Sequence, residues 1–211
     1  MNELHFNDAL KNEYRNYSYQ YASILYTDEK IGEFIRSYQK RPDFKNTVFL
    51  ITGDHRMPEI PMSTKIDRYH VPLLIYSPLL KRTAKFSSIS THFDITPSLL
   101  AWLKHSYHMQ VPNMASWMGS GLDTSRSFRN THAYPLMQTK TEIIDYIQGD
   151  WLINSNILYH IGNKMELTQE DNPTKANELR ANFDLYKSKN NMFINNLKIL
   201  PDSLLMRYLP K

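Results

Sequence analysis

A chain of 211 residues is long enough for one sizeable domain, or a domain with an appendage, built around a buried core. Hydrophobic residues at 41%, aromatic at 12% and charged at 22% exclude the apolar-poor, charge-rich composition of an intrinsically disordered chain. The formal charge of +4 comes from interspersed basic and acidic side chains, without the basic stripe a phosphate backbone requires, so nucleic acid is not an expected partner.

The first segment, Met1 to Tyr14, is polar and lacks the apolar stretch of a secretory leader, and no run of about 18 apolar residues follows anywhere. From Tyr17 to Tyr38, apolar side chains at Tyr21, Ile24, Leu25, Ile31, Phe34, Ile35 and Tyr38 keep helical spacing on one face, which predicts a helix stopped by Arg41-Pro42. The run Asn46 to Thr52 is apolar and β-rich up to Gly53 and predicts a buried strand. A second such run, Val71 to Tyr76, is bracketed by Pro72 and Pro78, with a polar, proline-containing loop before it. Asp94 can cap a helix to about Lys104, with Pro97 in its first turn and Ile95, Leu99, Leu100 and Leu103 facing inward. After a Gly- and Ser-rich stretch, Glu142 to Gln148 and Trp151 to Ile161 predict two strands joined at Gly149-Asp150, hence a small antiparallel sheet. A terminal helix is expected from Thr174 to about Lys198, following the breaker Asn172-Pro173. The fold class is α/β.

The absence of cysteine excludes disulfides, thiolate metal sites and cysteine nucleophiles, and fits both a reducing compartment and many envelope proteins. The sharpest chemical feature is Thr52-Gly53-Asp54-His55, a carboxylate and an imidazole at the end of a predicted strand, where α/β folds build sites. Neighbouring strand residues point to opposite sides, so both can reach one ion only if the chain turns there, and Gly53 is expected to supply that turn. An oxygen and a nitrogen donor suit Zn or Mn better than Ca.

Four motifs in order extend this feature. Tyr21, Asp28, Gly32 and Phe34 lie on the first helix; Asn46 to His55 reads NTVFLITGDH; Tyr69 to Pro78 reads YHVPLLIYSP; and Ser90 to Leu100 reads STHFDITPSLL. Together they resemble the alkaline-phosphatase superfamily, in its sulfatase and lipoteichoic-acid-synthase (phosphoglycerol transferase) group. The resemblance implies part of an alkaline-phosphatase-like sheet flanked by helices, with the small C-terminal antiparallel sheet and terminal helix beside it. Residues 1–110 would be the distal half of that catalytic domain and 111–211 a β-hairpin and helix subdomain. It further implies metal-dependent hydrolysis or transfer of phosphate or sulfate esters, with Asp54 and His55 as ligands of a divalent metal. His70 and Lys65 would lie on the substrate side, Lys65 where related sulfatases keep a sulfate-pairing lysine.

No Cys or Ser stands in the C/S-x-P-x-R arrangement of the family, and no earlier strand ends in the expected acidic ligand, so no catalytic nucleophile is expected among these residues. The substrate would be an anionic ester, a lipid head group among the candidates. The parent protein would be membrane-anchored, in the cell envelope or on the periplasmic side of the inner membrane, with this portion soluble. The alternative is a catalytically inactive binding or assembly module on the same scaffold, self-associating through an exposed sheet edge. His92 and Asp94 read as turn and cap residues, and Trp117, Arg126 and Arg129 as weaker candidates for an anionic head group.

Overall fold

The computed structural model describes residues 12, 14–112, 118–137, 142–196 and 206, and divides the chain into two compact units, Met1–Ala84 and Lys85–Lys211. In the first unit, helix α1 spans Ser18–Tyr38, close to the predicted bounds. Strands β1 (Phe49–Thr52) and β2 (Leu73–Tyr76) pair antiparallel, with Phe49 opposite Tyr76 and Thr52 opposite Leu73. The expected strand from Asn46 is shorter because Pro42–Asn46 winds into a 3-10 turn, closed by Thr47, whose hydroxyl donates to the Asp43 carbonyl at 2.8 Å and whose N–H donates to that of Phe44 at 3.1 Å. A ring cluster covers one face of the pair. Phe49 meets Tyr38 edge-on at 5.1 Å and Phe34 at 6.2 Å, and Tyr76 and Phe44 lie 6.0 and 6.3 Å from it.

The buried strand read from the sequence is not what forms: β1 has no buried side chain, and Leu50 and Ile75, paired on the opposite face, are 38% and 41% exposed. A short continuous apolar run cannot distinguish a strand covered on both faces from one covered on a single face. Gly32 sits inside α1, where an added Cβ would meet only the end of the flexible Arg36 side chain, at 3.1 Å. Gly32→Ala is therefore expected to stabilise this unit by about 0.5–1 kcal/mol through helix propensity, read as a raised urea midpoint.

In the second unit, a 3-10 turn, His92–Asp94, leads into α2 (Ile95–Tyr107), three residues longer than predicted. Five strands follow: β3 (Ala133–Met137), β4 (Ile143–Gln148), β5 (Trp151–Asn154), β6 (Ile157–Ile161) and β7 (Leu167–Gln169). They form an antiparallel meander in chain order. Gly149, at φ 55°, makes the β4–β5 turn as expected. The single strand predicted over 151–161 is instead a hairpin, because Ser155 adopts φ 53° and Ser155-Asn156 turns the chain. Helix α3 (Pro173–Asn196) starts on Asn172, whose side-chain oxygen accepts the Lys175 N–H at 3.0 Å, with Pro173 in the first position; residues 197 and 198 lie outside the described residues.

Ala176, Leu179 and Phe183, at spacings of three and four, bury one face of α3 against Tyr146, Ile153 and Leu158 of the sheet. Phe183 stacks on Tyr146 at 5.3 Å. Each fully buried Leu or Ile there contributes roughly 1.5–3 kcal/mol.

Asp94 is fully buried and anchors the loops beside α2. It stands at the α2 N-cap position, but its carboxylate makes no cap bond to that helix. It reaches back to the Thr91 N–H at 2.8 Å, completing a capping box, and accepts from the Ser120 N–H at 3.0 Å, the Gly121 N–H at 3.2 Å and the Tyr134 hydroxyl at 2.7 Å. Burial alone would raise its pKa, yet these donors together hold it below the usual carboxylate range. Burial and the Asp94 carboxylate push Tyr134 up to about 12, so its hydroxyl remains a donor.

Candidate functional site

Because Thr52 pairs with Leu73, the residues leaving β1 and those entering β2 share one end of the two-stranded sheet, and the loop between them starts and finishes there. Thr52 fastens that end by donating its hydroxyl to the Pro72 carbonyl at 2.8 Å. The Gly53 turn does not use a left-handed glycine: the glycines with positive φ among the described residues are Gly121 and Gly149. A Cβ at position 53 would meet the Val71 side chain at 3.4 Å, an ordinary van der Waals contact, so space does not call for glycine there either.

The chain then bends so that Asp54 and His55 face the same way, with Asp54 Oδ2 and His55 Nε2 3.7 Å apart and the two side chains 91% and 68% exposed. The other atom of each group is already engaged. Asp54 Oδ1 accepts the His55 N–H at 3.0 Å, and His55 Nδ1 lies 2.6 Å from the Arg56 carbonyl oxygen. A carbonyl only accepts, so Nδ1 carries the proton and the neutral ring keeps its lone pair on Nε2. One carboxylate oxygen and one imidazole nitrogen are thus left open side by side. A separation of 3.7 Å lets one ion touch both at ligand distances of about 2.0–2.2 Å, so the pair fits a divalent metal. Among the described residues no group of three or more His, Asp or Glu forms a larger cluster of this kind.

His70 ends the 3-10 turn Ile66–Tyr69, is exposed, and donates its N–H to the Asp67 carbonyl at 3.2 Å. Lys65 stands at the N-cap position of the same turn and is exposed. Both therefore belong to the loop that begins and ends beside Asp54 and His55. Asp67 organises that loop by accepting the Ser63 and Thr64 N–H groups at 2.9 and 2.8 Å.

Of the weaker candidates in the second unit, Trp117 lies outside the described residues and Arg126 is exposed. Arg129 is engaged, its guanidinium gripping Asp123 at 2.7 and 2.9 Å, with the Asp123 pKa lowered by that bond. Sequence reasoning passed over Arg56, whose guanidinium donates to the carbonyls of Met57 at 2.8 Å, Ile60 at 2.6 Å and Pro58 at 3.1 Å. Nothing but its position next to the Asp-His pair signalled it. It also passed over the tie from Ser120 and Gly121 to Asp94, since a Gly-Ser-Gly stretch reads as plain loop.

Residues 2–105 match the sulfatase family model. Arylsulfatase K of Gallus gallus is 31% identical over 91 residues, covering 39% of this chain and 17% of that protein. Arylsulfatase K of Canis lupus familiaris is 30% identical over 99 residues, covering 43% and 18% respectively. The match therefore spans less than a fifth of the length of either relative. No solved structure matches the chain significantly. The segment that presents Asp54 and His55 lies within the stretch that is similar to the sulfatase family.

Proposed function

We propose that Asp54 and His55 form part of the divalent-metal site of an enzyme that hydrolyses sulfate esters. The observation that carries this is the pair of open donor atoms, Oδ2 and Nε2, 3.7 Å apart on a sulfatase-type segment. When bound, a Zn or Mn ion at such a site polarises the ester and activates the nucleophile. The work of this chain is to hold the two ligands in register. The Thr52 bond to Pro72 fixes the hairpin end, and the Arg56 carbonyl selects the imidazole nitrogen that faces the ion. Lys65 and His70, on the adjoining loop, serve the anionic substrate, Lys65 as a point charge and His70 as a hydrogen-bonding group.

The nucleophile and the remaining ligands come from a part of the enzyme outside these 211 residues. The parent enzyme sits in the cell envelope and acts on anionic esters. Lipid phosphoglycerol, the donor of the lipoteichoic-acid-synthase branch, is the competing substrate class, and parallel assays of the parent enzyme with an aryl sulfate and a phosphoglycerol ester decide between the two. Among the described residues no helix is long and apolar enough to cross a membrane.

The direct test is metal-induced stabilisation of this chain. Free Mn or Zn at about 100 times its dissociation constant is expected to stabilise the first unit by about 2.7 kcal/mol, and Asp54→Ala is expected to abolish most of that gain. A variant that gains as much from metal as the unaltered chain removes Asp54 from the site. If neither chain responds, the reading as a binding or assembly module without catalysis takes over.

A further inference from the structure

We propose that Arg56 is the positioning residue of the Asp54–His55 pair, acting through the tautomer of His55; this rests on the metal reading of those two residues. Residues 57–60 form an irregular loop directly after the pair, with carbonyl groups that neither strand nor helix satisfies. The Arg56 guanidinium collects three of them, Met57 and Ile60 through Nη1 and Pro58 through Nη2. Arg56 is partly buried in doing so. Its side chain is thereby bound to the loop that its own backbone begins, which restrains the peptide units from Met57 onward and, through them, the carbonyl of Arg56.

That carbonyl oxygen lies 2.6 Å from His55 Nδ1. The sequence of constraints runs from loop carbonyls to guanidinium, from guanidinium to the Arg56 carbonyl, and from that carbonyl to the proton on Nδ1. Its end is an Nε2 lone pair beside Asp54 Oδ2. A ligating histidine is commonly oriented by a carbonyl or carboxylate on its other nitrogen, and here an arginine orients the carbonyl in turn. Lysine cannot replace it, because an ammonium offers its donors from one point and cannot span acceptors spread over four residues.

The bland alternative is an arginine that satisfies loop carbonyls and nothing more. Such a residue would affect stability without altering which imidazole nitrogen holds the proton. The experiment is a long-range proton–nitrogen NMR correlation of the histidines in the complete chain, at a pH where imidazoles are neutral, with His55 assigned by its loss in His55→Gln. The unaltered chain is expected to show His55 protonated on Nδ1. Arg56→Ala and Arg56→Lys are both expected to lose that preference and to bind Zn 10–100-fold more weakly by calorimetry.

His55 protonated on Nε2 in the unaltered chain overturns the proposal, and so does an Arg56→Ala chain with an unchanged tautomer. Should Arg56→Ala fail to fold, Arg56→Gln and the unaltered spectrum decide on the same criterion. If the unaltered chain binds no metal but His55 loses its Nδ1 proton on substitution of Arg56, the positioning role stands and the metal reading falls.

Discussion

Asp94→Ala is expected to destabilise the second unit by about 4 kcal/mol, a fall of roughly 15 °C in its circular-dichroism melting temperature. The carboxylate is wholly buried and accepts from Thr91, Ser120, Gly121 and Tyr134. Alanine removes the acceptor of three backbone N–H groups and of the Thr91 and Tyr134 hydroxyls, and each buried group left unpaired costs about 1–3 kcal/mol before water, His132 Nδ1 or relaxation recovers part. Asp94→Asn keeps one carbonyl oxygen and is expected to lose about half as much. The pH dependence has a fixed sign. The folded pKa lies below the ordinary 3.8, so this stabilisation is complete above that value and disappears as the pH falls through the folded pKa. The unaltered unit is therefore expected to lose stability steeply below about pH 4, and Asp94→Ala to be flatter there. Equal acid sensitivity of the two chains contradicts this account.

Gly119→Ala is expected to cost about 3 kcal/mol by a different route. A Cβ at position 119 would overlap the carbonyl carbon and oxygen of Phe93 and come within 2.8 Å of the Asp94 nitrogen. These are backbone atoms of the 3-10 turn that starts α2, so no side-chain rotation relieves the clash. The same displacement pulls Ser120 and Gly121 away from Asp94, so the double variant with Asp94→Ala should cost clearly less than the sum of the two single variants. Urea midpoints of the three variants measure this. Strict additivity would mean that segment 119–121 is not seated on the turn.

The elements most legible in the sequence are those whose pattern is local. The spacing on α1, the Asn172-Pro173 start of α3 and the Gly149-Asp150 turn each follow from residues within a few positions. Ser155 escaped because serine carries no strong signal for positive φ, and β7 because three residues are too few to show a period. The Asp-His pair was legible as chemistry, yet the turn expected of Gly53 uses neither a left-handed φ nor a space that a Cβ would fill. Arg56 and the donors around Asp94 depend on contacts that only the folded chain creates, across separations of up to 40 residues in the case of Tyr134.

The partition into Met1–Ala84 and Lys85–Lys211 has an optical consequence. All three tryptophans, Trp102, Trp117 and Trp151, fall in the second segment, while the first holds tyrosine and phenylalanine alone, Tyr38, Phe49 and Tyr76 among them. Indole fluorescence excited at the red edge therefore follows the second unit only, whereas tyrosine signals come from both units, so a transition seen in tyrosine and not in indole belongs to the unit that presents Asp54 and His55. One unlabelled sample can report two unfolding transitions, and an ion bound at that pair should displace the transition that tyrosine shows and indole does not.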